Sequence, residues 1–192
     1  ELLGEVEMEF AADLRDNGDL SLKLLQVRPI SSFSTESEID FDAFAADLDR
    51  VFVSSGKALG VGVISGIRHI VCIPPEKFDS AKTREMAAEI AAINNEFKAK
   101  DGGYLLIGPG RWGTADPFLG IPVSWSEISE AKMIVEYGLP GFRVEPSQGT
   151  HFFQNITSLG IGYLSVDTVY GLDGNIDFQA IAALECEKEF KY

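Results

Sequence analysis

Two alternating stretches either side of an Asn-Gly step constrain this chain more than anything else in it. Residues 5–13, EVEMEFAAD, alternate apolar and acidic side chains, the mark of a half-buried strand. RDNGD follows, in which Asn17-Gly18 is a strong hairpin signal, and LSLKLLQV returns as the second strand. Residues 1–30 therefore read as a β-hairpin. An isolated two-stranded ribbon is marginal in water, so this one is expected to complete a sheet formed upstream. The opening ELLGEVEMEF has no initiator Met and is already in strand pattern, which reads as a piece cut from a larger protein.

The end of that hairpin carries chemistry. In LLQVRPI, Gln26 and Arg28 are two residues apart and so share a face, and Pro29 cannot donate to a ladder, so pairing should stop there. A buried strand would then deliver an amide and a guanidinium side by side at its exit. Glu7 and Glu9 share a face of the partner strand. Carboxylates suit Mg²⁺ as hard oxygen ligands, and the Arg fork suits phosphate oxygens. The plainer alternative is a solvent-facing cross-strand pair of Glu9 with Arg28, worth little.

Beyond the hairpin, residues 31–55 read as a polar linker, SSFSTESEI, and a short helix, DFDAFAADLDRVF, with Phe41, Phe44, Ala45, Leu48 and Phe52 at helical spacing. From 56 to 192 strands alternate with helices, which predicts an α/β domain, with α+β the alternative. GKALGVGVISGIRHIVCI has Gly-punctuated β character and ends in a strand at about 67–73. Residues 79–100 form the best helix, capped at Asp79 or Ser80, with Met86, Ile90, Ile93 and Phe97 in one stripe. Strands follow in YLLIGP, AKMIVEYG and IGYLSV. SQGTHFFQNITSLG reads as a helix capped by Ser147 or Thr150 and stopped by Gly160, and GLDGNIDFQAIAAL as a turn into a closing helix.

Charge narrows the partners. With 16 basic against 30 acidic residues the net charge is −14, and no basic stripe offsets it, which argues against nucleic acid and anionic membrane. The longest apolar run, ALGVGVISGI, is too short and Gly-rich to span a bilayer. Cys72 and Cys186 have no metal-type spacing, and a reducing cytoplasm fits best.

Two further segments could bind anions. His151, after Gly-Thr at the start of a predicted helix, sits where free N–H groups and the dipole favour an anion, and could act as a phosphoryl-accepting nucleophile. A first-turn His with a structural hydrogen bond is the plainer alternative. In GPGRWGTADP the glycines could let backbone approach a ligand while Arg111 grips a phosphate or carboxylate. The pattern is neither a P-loop nor a dinucleotide fingerprint; a tight turn under Trp112 is equally consistent with it. Arg143 would be a second anion ligand if its loop folds over His151. His69, within IRHIVCI, reads as structural.

EMEFAAD…LLQVRPI resembles the end of the ATP-grasp domain in the pyruvate, phosphate dikinase and phosphoenolpyruvate synthase family. That resemblance implies Glu9 as a Mg²⁺ ligand and Gln26 and Arg28 at the phosphates of ATP, with catalytic roles; a longer loop here leaves Glu7 as the alternative to Glu9. THFFQNITSLGIG is similar to the same family's phosphohistidine segment, keeping Thr150, His151, Leu159, Gly160 and Ile161 at matching offsets. GKALGVGVISG and LLIGPGRWGTADP resemble earlier parts of that swivelling β/β/α domain. Phe152-Phe153 and Thr157-Ser158 depart from the pattern, and the helix at 79–100 looks inserted. The resemblance implies an ATP-dependent phosphotransferase fragment, with 1–30 the ATP-grasp remnant, 31–55 a linker and 56–192 the carrier domain. Its partners would be ATP, a small phosphoryl acceptor such as pyruvate, and an upstream domain of the same chain. The competing expectation is a degenerate, non-catalytic module that binds an anionic metabolite or a partner domain.

Overall fold

The computed structural model describes residues 6–14, 18–29, 51–59, 62–100, 103–116, 118–141, 152, 156, 159–167 and 174–191, with the side chains of Glu7, Arg28 and Pro29 outside the description. The expected helix over 40–52 lies almost wholly outside these residues. Its last two, Val51 and Phe52, are not helical and lead directly into a strand.

The hairpin forms as the alternation demands. Strand β1 (Val6–Leu14) pairs antiparallel with β2 (Leu20–Pro29), from Val6 opposite Pro29 to Leu14 opposite Leu20. The two strands make a sheet of their own, not joined to the other described sheets. One expectation needs correction: β2 is not buried. Met8, Phe10, Leu20, Leu22, Leu24 and Leu25 are each about 60% exposed and Leu14 more so, so among the described residues nothing covers this apolar surface.

Nine short strands follow among the described residues. They are β3 (Val53–Ser55), β4 (Lys57–Leu59), β5 (His69–Cys72), β6 (Tyr104–Pro109), β7 (Arg111–Trp112), β8 (Gly120–Ile121), β9 (Ala131–Tyr137), β10 (Gly162–Val166) and β11 (Gly174–Ile176). Five form the central sheet in the order β4-β10-β9-β6-β5. β5, β6, β9 and β10 run parallel, and β4 caps one edge antiparallel to β10. Helix α1 (Thr83–Lys100) connects β5 to β6, as parallel neighbours require a crossover. Asp79 caps the 3₁₀ turn before it by accepting from the Ala81 N–H. Helix α2 (Phe178–Ala182) closes the chain, with Asp177 accepting from Ala180 N–H at its start.

Alternation along the strands sorts the core into two layers. Tyr104, Leu106, Ile134 and Tyr163 face α1, whose Met86, Ala87 and Ile90 meet them together with Trp112, Ile121 and Ile128. Ile107, Val135, Tyr137 and Val166 face the other way, onto Ile176, Val53 and Phe178. The fold is thus a mixed α and β architecture, dominated by strands, with the sheet covered on both sides. The expected stop at Gly160 is present: its φ is +66°, and the Ile161 N–H donates to the Ile156 carbonyl, closing a helical turn.

Candidate functional site

Two places gather the residues singled out by sequence. The first is the open end of the hairpin. Glu9 stands directly opposite Gln26, and position 7 opposite position 28. Directly paired residues share a face, so all four positions lie on one side of the ribbon. This juxtaposition depends on an irregularity. The register shifts between Glu9 and Phe10, where Phe10 pairs with Leu24 and Leu25 has no opposite number. Strict alternation from Leu20, Leu22 and Leu24 would carry Gln26 and position 28 onto the leucine face. The bulge absorbs Leu25 and turns them onto the side of Glu9 and Asp13 instead. Glu9 and Gln26 are both exposed. A carboxylate beside an amide is a donor set suited to Mg²⁺ and a phosphate, since Mg²⁺ is commonly held by one or two carboxylates plus phosphate oxygens. Among the described residues no three His, Cys, Asp or Glu side chains come close enough to hold a metal by themselves.

The second place is the carboxyl edge of the parallel strands, where ligands of open α/β sheets gather. Here the loop Gly110–Gly113 follows β6. Sequence reasoning offered its backbone as an anion cradle, and the hydrogen bonds remove that role. Gly110 N–H donates to the Tyr137 carbonyl at 2.9 Å, Arg111 N–H to Leu119 at 2.9 Å, and Gly113 N–H to Ile121 at 3.0 Å. Trp112 N–H donates to Glu136 Oε1 at 2.9 Å. With all four amides taken, the loop has no backbone cradle left for an anion; Arg111 is half-buried. The glycines serve packing. A Cβ on Gly108 would lie 2.3 Å from Trp112 Cζ2, and one on Gly113 2.3 Å from Phe152 Cδ2.

That last contact matters for His151. His151 and Arg143 lie outside the described residues, so their side chains are not placed. Phe152, next in the chain after His151, lies against Gly113 and forms an edge contact with Trp125, ring centres 6.1 Å apart. Phe152 and the loop that carries Arg111, far apart in sequence, therefore meet. His69 is elsewhere, at the amino end of β5, with Nδ1 3.1 Å from Glu187 Oε1 and its ring against Phe97.

Glu136 went unremarked in the sequence. It occupies the middle strand β9, is 3% exposed, and accepts from Trp112 N–H through one oxygen and from Tyr163 OH through the other at 2.5 Å. The signal was present: an acid on the Ile134 side within the buried Ile134–Tyr137 stretch of β9, where carboxylates rarely sit unless paired. Burial, reinforced by Glu76, pushes the Cys72 thiol up to about 12. Burial likewise raises Tyr137, whose hydroxyl donates to the Ile73 carbonyl at 2.6 Å, and Tyr104, which donates to Asn94.

Neither a family model, nor a curated protein, nor a solved structure matches this chain. Among the described residues no helix is long and apolar enough to cross a membrane.

Proposed function

We propose that the chain is part of an ATP-dependent phosphotransferase resembling phosphoenolpyruvate synthase and pyruvate, phosphate dikinase, holding the end of an ATP-grasp site and a swivelling phosphocarrier domain. The observation that carries this reading is the bulge at Leu25, which sets Gln26 opposite Glu9 while Leu20, Leu22 and Leu24 lie on the other face. Bulges that re-aim side chains are common beside active sites. In this reading Glu9 holds Mg²⁺, which would neutralise charge on the triphosphate, and Gln26 and Arg28 bind phosphate oxygens. The uncovered leucine face is what a ribbon completing an upstream domain would present.

His151 is the acceptor. One imidazole nitrogen forms a P–N bond as a phosphoanhydride P–O bond of ATP breaks, and the electron pair leaves with the nucleotide. The carried group then passes to a small acceptor, of which pyruvate is one candidate. Arg111, and Arg143 with it, would screen the charge of the group in transit. Both cysteines are free, in keeping with a reducing cytoplasm as the site of action.

A specific observation favours the second reading, a non-catalytic module that binds an anionic metabolite or a partner domain. Phe152 fills the space over Gly113, and the loop amides are all engaged. One experiment separates the two. The full-length protein is incubated with ATP labelled at the β or γ phosphate. Acid-labile label that disappears in His151→Ala supports the carrier; undiminished label in that variant removes His151, and no label at all favours the binding module.

A further inference from the structure

We propose that residues 185–191 are a detachable strap, held by charge, over the outer edge of β5, and that this edge pairs with its counterpart in a second copy of the chain when the strap lifts. β5 ends the order of the central sheet, with β6 on one side and no described strand on the other. The Ile73 N–H donates to the Ile107 carbonyl of β6, so by alternation the backbone polar groups of Ile70 and Cys72 point outwards. Nothing in residues 70–73 guards that edge by charge or proline, and such a run is a ready template for another strand. The path of the strap follows from what it touches. Helix α2 packs Phe178 and Ile181 on the layer of Ile107, Val135 and Tyr137. Farther on, Lys188 meets Glu96 of α1, on the opposite layer, at 2.5 Å, and the Lys191 N–H donates to Glu89 of the same helix at 3.3 Å. Between these contacts Glu187 Oε1 lies 3.1 Å from His69 Nδ1, at the start of β5. The chain therefore rounds the sheet at the β5 edge. Lys77, just past β5, takes Glu189 at 3.0 Å.

The hold is electrostatic. From 182 to 191 every residue is exposed except Phe190, which is half-buried with Lys188 Nζ 4.7 Å from its ring centre. The hydrogen bond from Lys188 holds the Glu96 carboxyl below its ordinary value. Exposed pairs of this kind are individually weak and fade with salt, so the strap yields under conditions that leave the apolar core intact. The occupant follows from the edge's own sequence. Turned about a two-fold axis, Ile70 of one copy stands opposite Cys72 of the other, and Val71 opposite Val71. That register exchanges backbone hydrogen bonds on both sides of the axis and brings no like charges together. With a net charge of −14, two copies repel each other. Salt screens that repulsion and loosens the strap together, so association should rise with ionic strength, the reverse of a contact made by ion pairs.

Nothing in this arrangement depends on phosphoryl transfer. It is tested by sedimentation of the chain as salt is raised from about 0.01 M to about 1 M, which shortens the screening length from about 30 Å to about 3 Å. A dimer is expected at the high end. E187Q/K188Q/E189Q removes charge from exposed positions of the strap and should tighten the dimer by about tenfold or more at low salt, because apparent affinity scales with the fraction of open edges. K188E should act like the triple variant. Adding E96K to it, which restores the pair with its signs reversed, should return the monomer. The contact itself is read by V71C in a C186S background. Directly opposed positions of this kind lie within disulfide reach, so oxidation should link the copies when the strap is released and not when it is closed. A triple variant that stays monomeric at high salt, a K188E chain that E96K does not relieve, or association without the V71C link would each overturn the proposal.

Discussion

Glu9 and Gln26 face each other across the hairpin because Leu25, between Gln26 and Leu24, is left without a cross-strand partner. Two leucines in succession mark the place where the apolar side of β2 changes from even to odd positions. Gln26 and position 28 thereby stay off the face of Leu20, Leu22 and Leu24, which a regular ladder through the same sequence could not achieve.

Deleting Leu25 should regularise the ladder without turning Gln26 over, since Leu24 and Gln26 would then alternate normally. The expected result is retained cross-strand NOEs between Glu9 and Gln26, with a stability change below about 1 kcal/mol. NOEs from Gln26 to the Leu22 side instead would show that the bulge is not what sets the register.

Loss of the Glu136 carboxylate should be costly. E136A strands the Trp112 N–H and the Tyr163 hydroxyl in the core, and a loss of about 3 kcal/mol is expected from urea unfolding. Y163F removes one donor to the same carboxylate and should cost about 2 kcal/mol. A cost under 0.5 kcal/mol for E136A, within the scatter of about ±0.5 kcal/mol seen for inconsequential surface changes, would mean the carboxylate is not engaged as described.

Gly113→Ala should disturb the segment next to His151. The position has φ +73°, and the new methyl would run into the Phe152 ring. Strain and displacement together predict a loss of about 2 kcal/mol and a changed Trp125 emission, since Phe152 abuts that indole.

Thiol chemistry should distinguish the two cysteines. Cys72 is held up to about 12 and Cys186 is exposed, so a thiol reagent at pH 8 should label Cys186 and spare Cys72. The same shift makes stability pH-dependent. A thiol whose folded value lies above its ordinary 9.0 contributes fully below pH 9, and that contribution is lost as pH rises towards 12. Tyr104 and Tyr137 are raised for the same reason and act in the same direction above pH 10. Urea midpoints should therefore fall through the alkaline range, and less steeply in Cys72→Val.

The sequence was most readable where elements are long and self-contained. The two hairpin strands announce themselves by alternation, and α1 by its stripe of Met86 and Ile90. β6, β9 and β10 are visible as covered apolar runs, and Gly160 as a stop. Pairing across long separations leaves no such trace. β3 and β11 are three residues each and pair with Val53 opposite Ile176. β7 and β8 are two residues each. For the site, glycine-rich composition revealed a loop but not whether its amides were spoken for, which Tyr137, Leu119, Glu136 and Ile121 decide. Glu136 could have been found from a charge in a covered strand, whereas the meeting of Phe152 with Gly113 could not, because nothing local encodes it.

The order of the central sheet bears on how the protein comes together. β5, β6, β9 and β10 lie side by side in the sequence in which they leave the ribosome, so each new strand can dock on its predecessor as it emerges. β4 and β3 cannot follow that schedule. Made early, they must wait about a hundred residues for β10 and β11 to arrive. Until that late closure, one margin of the growing sheet stays unprotected, and a slow ribosome or a truncated transcript would leave it so.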